Sequence, residues 1–164
     1  MAVLYLAHCS LDGSSGHEAG QTLLRQLFDA HAEGDMPEIA VAPGGKPYFV
    51  KGKWHFSISH TKNHAFCALS DSPVGIDAEE TDRKIDLRLA EKILSPAEKA
   101  QFDAAADRRL ALLRFWVLKE AAAKLTGTGL RGYPNHTNFD LNDSRVTSID
   151  GCFVAILQEE DHAL

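Results

Sequence analysis

The hydrophobic pattern of the first half of the chain changes from strand to helix and then to several short strands. The apolar run 2–8 predicts a first strand, and the spacing of leucines over 17–33 predicts a helix. The apolar stripe of this helix is Leu23, Leu24, Leu27 and Phe28. The segments "EIAVA", "KPYF", "WHFSISH" and "AFCALS" then predict strands. Because only short polar turns separate the later segments, we expect 54–79 to form a three-stranded meander.

The second half of the chain changes to a helical period. A helix is predicted over 86–94, capped by Asp86, and "SPAE" at 95–98 is a capping box that starts another. The inward positions of the first of these helices are Leu87, Ala90, Ile93 and Leu94. A third helix over 107–125 is apolar nearly all round, which indicates burial, and "TGTG" ends it. "NFDL", "RVTSI" and "CFVAILQ" predict three final strands.

Both halves therefore follow the same order of elements: a strand, a helical segment, then antiparallel strands. This order predicts an α+β fold in which antiparallel strands pack with helices. It also indicates an internal duplication, although only in topology, since the residues themselves do not repeat. We expect a single compact domain over 1–164, with two similar lobes at about 1–71 and 72–164.

Composition excludes several classes of function. The chain has 164 residues, 45% of them apolar, and a net charge of −6, which argues against general binding to nucleic acid. Its three cysteines are far apart without a CxxC motif, so their spacing predicts neither a disulfide framework nor a zinc site. The apolar N-terminus lacks the features of a signal peptide, and no stretch of about 20 apolar residues occurs. We expect a cytoplasmic protein without a membrane partner.

The stretch "VGIDAEE" places two carboxylates on one face of a predicted strand. Asp77 and Glu79 are two residues apart, so their side chains point the same way, and Glu80 follows directly. Adjacent like charges are destabilising unless a cation lies between them. Mg²⁺ is a suitable cation, because it binds a few carboxylate oxygens together with water and phosphate. The alternative is that both side chains face water on an exposed sheet.

The buried helix supplies a third acid. In "FWVLKEAAAKL", Glu120 and Lys124 are four residues apart on one helix face. Pairs of this spacing are common on solvated helices, which is the alternative interpretation. Here the surrounding positions are apolar, and buried charges are costly without partners. We therefore expect both side chains to emerge at a ligand or ion site.

Four ordered blocks over residues 44–130 resemble a known family. "GGKPYF", "FSISHT", "GIDAEE" and "FWVLKEAAAKLTGTGL" are similar, in order and in spacing, to the signature blocks of the phosphopantetheinyl transferases of the Sfp superfamily. The resemblance implies a compact two-lobed, pseudo-duplicated fold. It also implies transfer of the 4′-phosphopantetheine arm of coenzyme A to a serine of an acyl or peptidyl carrier protein. Such a holo-[acyl-carrier-protein] synthase depends on Mg²⁺ and releases 3′,5′-ADP.

The resemblance also implies roles for individual residues. Asp77, Glu79 and Glu120 match the Mg²⁺ ligands, and Glu120 is also the candidate general base. Lys124 matches the lysine that contacts the pyrophosphate of coenzyme A. The remaining residues matched to the coenzyme A site are Lys46, Pro47, Ser59 and His60. Without the other blocks, Lys46 would be an ordinary turn lysine and His60 an ordinary histidine at a strand end.

The chain departs from the family pattern in two respects. Gln21 stands where longer members have an arginine that contacts a coenzyme A phosphate, so the 3′-phosphate is expected to be held differently. The length lies between those of the single-lobed trimeric members and the larger two-lobed ones. Because blocks of both halves are present, the "GKP" and "SISH" blocks in one and the "GIDAEE" and "KEAAAK" blocks in the other, we expect a compact two-lobed monomer with its site between the lobes.

The basic segment after the acidic strand is the expected docking surface for the carrier. It contains Arg83, Lys84, Arg88 and Lys92, on an otherwise acidic chain. Carrier proteins are generally acidic around their modified serine, although exposed helix faces are also ordinarily charged. Three alternative functions stay open: a non-catalytic member that binds coenzyme A or carrier, another Mg²⁺-dependent phosphotransferase, and a structural interaction domain.

Overall fold

A computed structural model of the chain describes residues 2–127 and 137–159. The strands are β1 (Leu4–Ser10), β2 (Ile39–Val41), β3 (Pro47–Phe49), β4 (His55–His60), β5 (His64–Ser70), β6 (Val74–Glu80), β7 (Val146–Ile149) and β8 (Cys152–Gln158). The helices are α1 (Gly16–His31), α2 (Ala90–Ile93), α3 (Pro96–Ala104) and α4 (Arg108–Thr126), with a 3₁₀ turn at Leu87–Leu89 before α2. In the described ranges, every helix is too short or too polar to cross a bilayer.

The first sheet is formed by the N-terminal half of the chain. Its strand order is β1-β5-β4 with antiparallel pairing throughout, and β2 and β3 form a separate hairpin. Helix α1 covers one face of this sheet with the predicted stripe, whose residues are Leu23, Leu24, Leu27 and Phe28. Ser15 caps the helix by accepting a hydrogen bond from the Glu18 N–H. The predicted strand, helix and apolar stripe are confirmed.

The second sheet is formed by the C-terminal half, in the order β6-β8-β7, again antiparallel. Helix α4 packs on one face, against buried residues of β8 such as Ala155 and Leu157. The opposite face packs on the first sheet, where Phe66 and Ala68 contact residues of β6 and β8. The molecule is therefore layered as α1, first sheet, second sheet and α4, which confirms an α+β architecture.

The predicted meander over 54–79 is wrong in its last strand. β4 and β5 pair as expected, but β6 pairs with β8 and not with β5. The turn at 71–73 carries the chain across to the second sheet, so that β6 meets β5 through side chains. An alternating pattern specifies which faces of a strand are buried, but it does not specify the strand's hydrogen-bonding partner.

Strands β4 and β6 meet at a seam made by serine hydroxyls. Ser57 Oγ accepts a hydrogen bond from the Ile76 N–H at 3.1 Å, and Ser59 Oγ accepts one from the Ala78 N–H at 3.1 Å. The contacts advance in the same direction along both strands, so the strands run parallel. Both serines are buried, and their hydroxyls replace a main-chain ladder at this position.

Two predictions in the C-terminal half need correction. The segment 86–94 is a 3₁₀ turn followed by a single helical turn, and Leu87 is 42% exposed instead of buried. Ala90 and Ile93 are buried as predicted. "NFDL" is irregular and forms no strand, because the Phe139 N–H donates to Glu98 Oε2 at 2.8 Å and not to a neighbouring strand. The strands at "RVTSI" and "CFVAILQ" are confirmed as β7 and β8.

A buried ion pair fixes α4 to α3. Lys119 Nζ lies 2.7 Å from Glu98 Oε1, and both side chains are almost fully buried. Glu98 is also the third residue of the predicted capping box, and it accepts a hydrogen bond from the Ser95 N–H. Lys119, for which the sequence indicated no role, therefore holds the helix that carries Glu120 and Lys124.

We predict that Ser57→Ala lowers the free energy of unfolding by about 1–3 kcal/mol, because the Ile76 N–H would remain buried without its acceptor. Urea denaturation at equilibrium measures this change. The matched control is Ser72→Ala, since the Ser72 hydroxyl is buried and makes no hydrogen bond within the described residues. The control should be neutral or stabilising. Equal losses in both variants would show that the seam contributes nothing specific.

Candidate active site

Close packing of α4 on β6 sets the geometry of the site. A Cβ atom added to Gly75 would lie 2.1 Å from the Ala121 carbonyl oxygen and 2.6 Å from the Leu125 nitrogen, so only glycine fits this helix–strand contact. Asp77 and Glu79 lie further along the same face of β6. They therefore point towards the part of α4 that carries Glu120, as the sequence predicted.

Asp77 is the most deeply buried of the three acids, with 7% of its surface exposed. Its Oδ1 atom accepts hydrogen bonds from Lys124 Nζ at 3.2 Å and from Ser59 Oγ at 3.3 Å. Its Oδ2 atom is buried and has no hydrogen-bond partner among the described residues. Burial raises the pKa of Asp77 to about 7, with Glu120 and Glu79 adding to this effect and Lys124 opposing it.

Glu79 and Glu120 complete the acidic cluster. Glu79 Oε1 accepts a hydrogen bond from Trp116 Nε1 at 3.2 Å and forms an ion pair with Arg83. The pKa of Glu120 is raised, mainly by burial and also by the charge of Glu79, while the cations Lys124 and Arg83 lower it. Three carboxylates thus lie together with two cationic side chains that compensate only part of their charge.

The predicted site residues line one continuous cleft. Two adjoining cavities, of about 300 Å³ and about 370 Å³, share Ile58, Glu120 and Lys124 in their walls. The first is also lined by Gly44, Gly45, Lys46, Pro47 and Ser57. The second is also lined by Ser59, His60, Asp77, Glu79, Arg83 and Trp116. The cleft therefore joins the "GGKP" loop to the acids.

Lys46 is held at the junction of β6 and α4. Its Nζ atom donates to the carbonyl oxygens of Val74 at 3.1 Å and of Leu125 at 3.4 Å. Burial lowers the pKa of this amine. Since an ammonium group has three donors, one donor remains available towards the cavity. The alternative of an ordinary turn lysine does not account for these two contacts, which hold the side chain against β6 and α4.

His60 lies at the mouth of the cleft, where the end of β4 meets the start of α1. A Cβ atom on Gly16 would approach His60 Nδ1 to 2.5 Å, so this glycine makes room for the imidazole. Gln21 lies one turn further along α1, the helix that packs on the first sheet. Pro47 is the first residue of β3 and lines the first cavity only.

Sequence reasoning missed two groups that contact the acids. Trp116 lies in the helix that was predicted to be buried, yet its indole N–H donates to Glu79 Oε1; its position four residues before Glu120 on α4 was the available signal. Arg83 was expected on the docking surface, yet its guanidinium pairs with Glu79 and lies 5.7 Å from the centre of the Trp116 ring. The four-residue separation of Glu79 and Arg83 did not indicate this ion pair. The pair forms because the chain turns after β6, and the spacing alone does not specify that turn.

The other cations of the basic segment are exposed. Lys84 and Lys92 face solvent, and Arg88 makes a two-pronged contact with Asp86, with its NH2 nitrogen 2.7 Å from Oδ2. Hydrogen bonds from Arg88 lower the pKa of Asp86 to about 2. The charge of Arg88 is therefore already offset locally, whereas Lys84 and Lys92 are exposed and form no close ion pair within the described part of the chain.

The donor set of the acidic cluster fits a hard divalent ion. Asp77, Glu79 and Glu120 offer only oxygen atoms, and the unpartnered Oδ2 of Asp77 is a buried acceptor that a cation would satisfy. Mg²⁺ prefers such a partial shell of carboxylates, because it retains water molecules and binds phosphate oxygens. The residues present therefore fit Mg²⁺.

We predict that the metal-free protein becomes less stable as the pH rises from about 4 to about 7 through the titration of Asp77. The folded-state pKa lies near 7, above the ordinary value of 3.8, so the folded chain binds this proton more tightly than the unfolded chain. The destabilisation is absent below the lower value and complete above the higher one. Urea unfolding in EDTA across this range compares the parent with Asp77→Asn. Parallel curves for the two proteins would contradict the assignment.

Comparisons with known proteins agree on one family. Residues 73–161 match the model of the 4′-phosphopantetheinyl transferase superfamily. The chain is 34% identical over 116 residues to the 4′-phosphopantetheinyl transferase psf-1 of Bacillus pumilus, covering 68% of this chain and 49% of that protein. It is 30% identical over 122 residues to the 4′-phosphopantetheinyl transferase HetI of Nostoc sp., covering 68% of this chain and 52% of that protein.

The chain spans about half the length of these relatives. The 4′-phosphopantetheinyl transferase gsp of Aneurinibacillus migulanus matches over a shorter range, with 35% identity over 88 residues, 52% of this chain and 36% of that protein. The matched family range contains Asp77, Glu79, Glu120 and Lys124. The chain therefore belongs to the 4′-phosphopantetheinyl transferase superfamily.

Proposed function

We propose that this protein transfers the 4′-phosphopantetheine arm of coenzyme A to a serine of an acyl or peptidyl carrier protein, as a holo-[acyl-carrier-protein] synthase. The observation that carries the proposal is the convergence of three carboxylates and Lys124 in one cleft, with Asp77 Oδ2 buried and unpartnered within the described residues. Membership of the transferase superfamily supports it. The reaction would depend on Mg²⁺ and release 3′,5′-ADP.

Asp77, Glu79 and Glu120 would hold Mg²⁺. When bound, the ion would neutralise charge on the pyrophosphate, which phosphoryl transfer requires. Lys124 Nζ already donates to Asp77 and to the Ile58 carbonyl oxygen, so its position is fixed and its third donor is available for a phosphate oxygen. This arrangement would orient the pyrophosphate between the two cavities.

Glu120 would act as the general base. Its pKa is raised by burial, which makes its carboxylate a better proton acceptor near neutral pH. The serine oxygen of the carrier would lose its proton to Glu120 and form a bond to the phosphorus atom that bears the pantetheine arm. The bond from this phosphorus to the bridging oxygen would break, and 3′,5′-ADP would leave with the electron pair.

The "GGKP" cavity would bind coenzyme A. Lys46 has one donor available there, and His60 at the cleft mouth would contact a second phosphate. Ser59 is placed differently, because its hydroxyl is used by Asp77 and by the Ala78 N–H. We propose that Ser59 supports the metal ligand and does not touch the cofactor itself. Gln21 stands where longer members have an arginine. Groups other than an arginine of α1 would therefore hold the 3′-phosphate of coenzyme A.

We also propose that the two halves, about 1–71 and 72–164, are lobes related by duplication within one monomer. The matched topology supports this: in each sheet the first strand pairs with the last, which pairs with the one before it. A long helix packs on the outer face of each sheet. The cleft lies where the two halves meet, so both would contribute to the site.

The carrier would dock on the basic segment that follows β6. Lys84 and Lys92 are exposed, and the segment begins beside Glu79. A carrier bound there would bring its serine to the acidic end of the cleft. Long-range attraction between this surface and an acidic carrier would mainly accelerate their association.

We predict that Glu120→Gln lowers the rate of transfer by about two to four orders of magnitude, because it removes the base and a metal ligand. Incubation with coenzyme A, Mg²⁺ and a panel of apo carrier proteins, followed by intact-mass measurement, gives the rate. The control is Glu33→Gln, an exposed acid just after the end of α1 that should leave the rate unchanged. Asp77→Ala and Glu79→Ala should behave like Glu120→Gln.

Near-normal transfer by Glu120→Gln at saturating Mg²⁺ would contradict its role. Binding of coenzyme A without transfer to any carrier in the parent protein would favour a non-catalytic member of the family. Transfer of a phosphoryl group from another nucleotide would favour a different phosphotransferase.

We predict that Lys84→Glu/Lys92→Glu raises the KM for the carrier roughly tenfold and leaves the KM for coenzyme A unchanged, because an acidic partner is then repelled. The salt dependence of kcat/KM should also become flatter, since screening acts over about 8–10 Å near physiological ionic strength. The control, Arg25→Glu/Lys51→Glu, changes net charge equally at exposed positions elsewhere. Equal effects in both double variants would assign the change to net charge alone.

A further inference from the structure

A second group of possible metal ligands lies outside the cleft. His64 is the first residue of β5, Glu80 the last of β6 and Cys152 the first of β8. His64 Nδ1 lies 3.2 Å from Glu80 Oε1 and 3.5 Å from Cys152 Sγ, and all three atoms lie within 4.8 Å of one another. Side chains alternate along β6, so Glu80 points away from the face that carries Glu79.

His64 Nδ1 cannot hydrogen-bond to Glu80 and to Cys152 in the same tautomer. A single ring nitrogen, Nδ1, faces both the carboxylate and the thiol. In one tautomer Nδ1 donates to Glu80, and in the other it accepts from Cys152, so either state leaves one contact unsatisfied. The Cys152 thiol is fully buried and its pKa is raised to about 11, by burial first and by Glu80 second. A cation between the three atoms could contact all of them at once, which a single ring proton cannot do.

We propose that His64 Nδ1, Glu80 Oε1 and Cys152 Sγ bind one divalent ion of the zinc class. Zinc–nitrogen and zinc–oxygen bonds of about 2.0–2.1 Å and a zinc–sulfur bond of about 2.3 Å place tetrahedral ligands about 3.3–3.6 Å apart. The distances of 3.2 Å and 3.5 Å from His64 Nδ1 are close to this spacing. Binding would convert the thiol to a thiolate and release one proton, while the imidazole stays neutral.

The surroundings support a metal site of this class. Thr61 Oγ1, the Asn63 N–H and Asn63 Nδ2 all donate to the Glu80 carboxylate, and such outer hydrogen bonds orient a ligand. The exposed fractions of 17% for His64 and 14% for Glu80 leave a path for an ion and for a water molecule as fourth ligand. A thiolate favours zinc over Mg²⁺, which distinguishes this group from the all-oxygen cluster of the cleft.

A catalytic thiol is a poorer explanation of the same group. Glu80 and Cys152 contact the same ring nitrogen, so the imidazole cannot relay a proton between them. The Cys152 side chain is also inaccessible to a substrate. An ion here would instead join β5 of the first sheet to β6 and β8 of the second. It would strengthen the interface between the sheets at the end of β6, independently of the function proposed for the cleft.

Cobalt titration of the chain, expressed without a histidine tag and treated with EDTA, tests the proposal. Excess Mg²⁺ is added to occupy the acidic cleft. Co²⁺ bound by Cys152 should then give a near-ultraviolet thiolate charge-transfer band, which saturates at one Co²⁺ ion per chain. Zn²⁺ should then abolish the band by displacement. Zn²⁺ should also raise the thermal midpoint of the parent protein.

Variants identify the ligands. Cys152→Ser should lose the band, and Glu80→Gln, which keeps the size of the side chain, should weaken Co²⁺ binding roughly tenfold to a hundredfold. Cys9→Ser is the control and should keep both the band and the affinity. Thermal midpoints in EDTA show whether each variant is folded, and Glu80→Gln gives a result even if Cys152→Ser unfolds.

Absence of the band at saturating Co²⁺ in the parent protein would overturn the proposal. So would a band that persists in Cys152→Ser, or parent affinity for Co²⁺ in a folded Glu80→Gln. In those cases the three side chains form only a hydrogen-bonded contact between the sheets.

Discussion

The structure depends on a seam between two parallel strands that share no main-chain ladder. Ser57 and Ser59 on β4 accept hydrogen bonds from main-chain N–H groups of β6, and this contact holds the edges of the two sheets together. Lys46 and His60 belong to the first half of the chain, whereas Asp77 and Glu79 belong to the second. The seam is the reason that both sets line a single cleft, and it explains why a motif of alternating serines precedes the histidine.

A second constraint fixes the depth of α4 in the molecule. Gly75 allows the helix to approach β6 at main-chain distance, and the buried pair between Lys119 and Glu98 holds its outer side. Removing one partner of a buried ion pair typically costs about 3–5 kcal/mol, because the remaining charge is left uncompensated. The net contribution of the pair to stability is small, because the cost of burying both charges offsets their attraction. Positions of α4 that separate the two charges are nevertheless strongly disfavoured. Glu120, the next residue after Lys119, is placed by the same constraint.

Local patterns in the sequence were sufficient for α1, α3 and α4 and for the shared strand face of Asp77 and Glu79, but not for the segment 86–94. The apolar stripe of α1, the capping box at Ser95 and the shared face of Asp77 and Glu79 follow from residues close together in the chain. The crossing of β6 to the second sheet did not follow, because an apolar strand face packs equally well against either partner. The sequence did not predict the group formed by His64, Glu80 and Cys152, for a similar reason. Its members come from three separate strands, and a search for CxxC spacing detects only ligands that are neighbours in sequence.

The two acids of β6 differ in how fully their carboxylate oxygens are already occupied. Glu79 pairs with Arg83 and accepts from Trp116, so a cation approaching it competes with a guanidinium. Asp77 shares one oxygen with Lys124 and Ser59, but within the described part of the chain its Oδ2 has no partner to displace. For the proposed Mg²⁺, Asp77 Oδ2 is therefore a ligand atom that gains more than Glu79 Oε1, because binding satisfies a buried acceptor and offsets the burial and repulsion that raise its pKa.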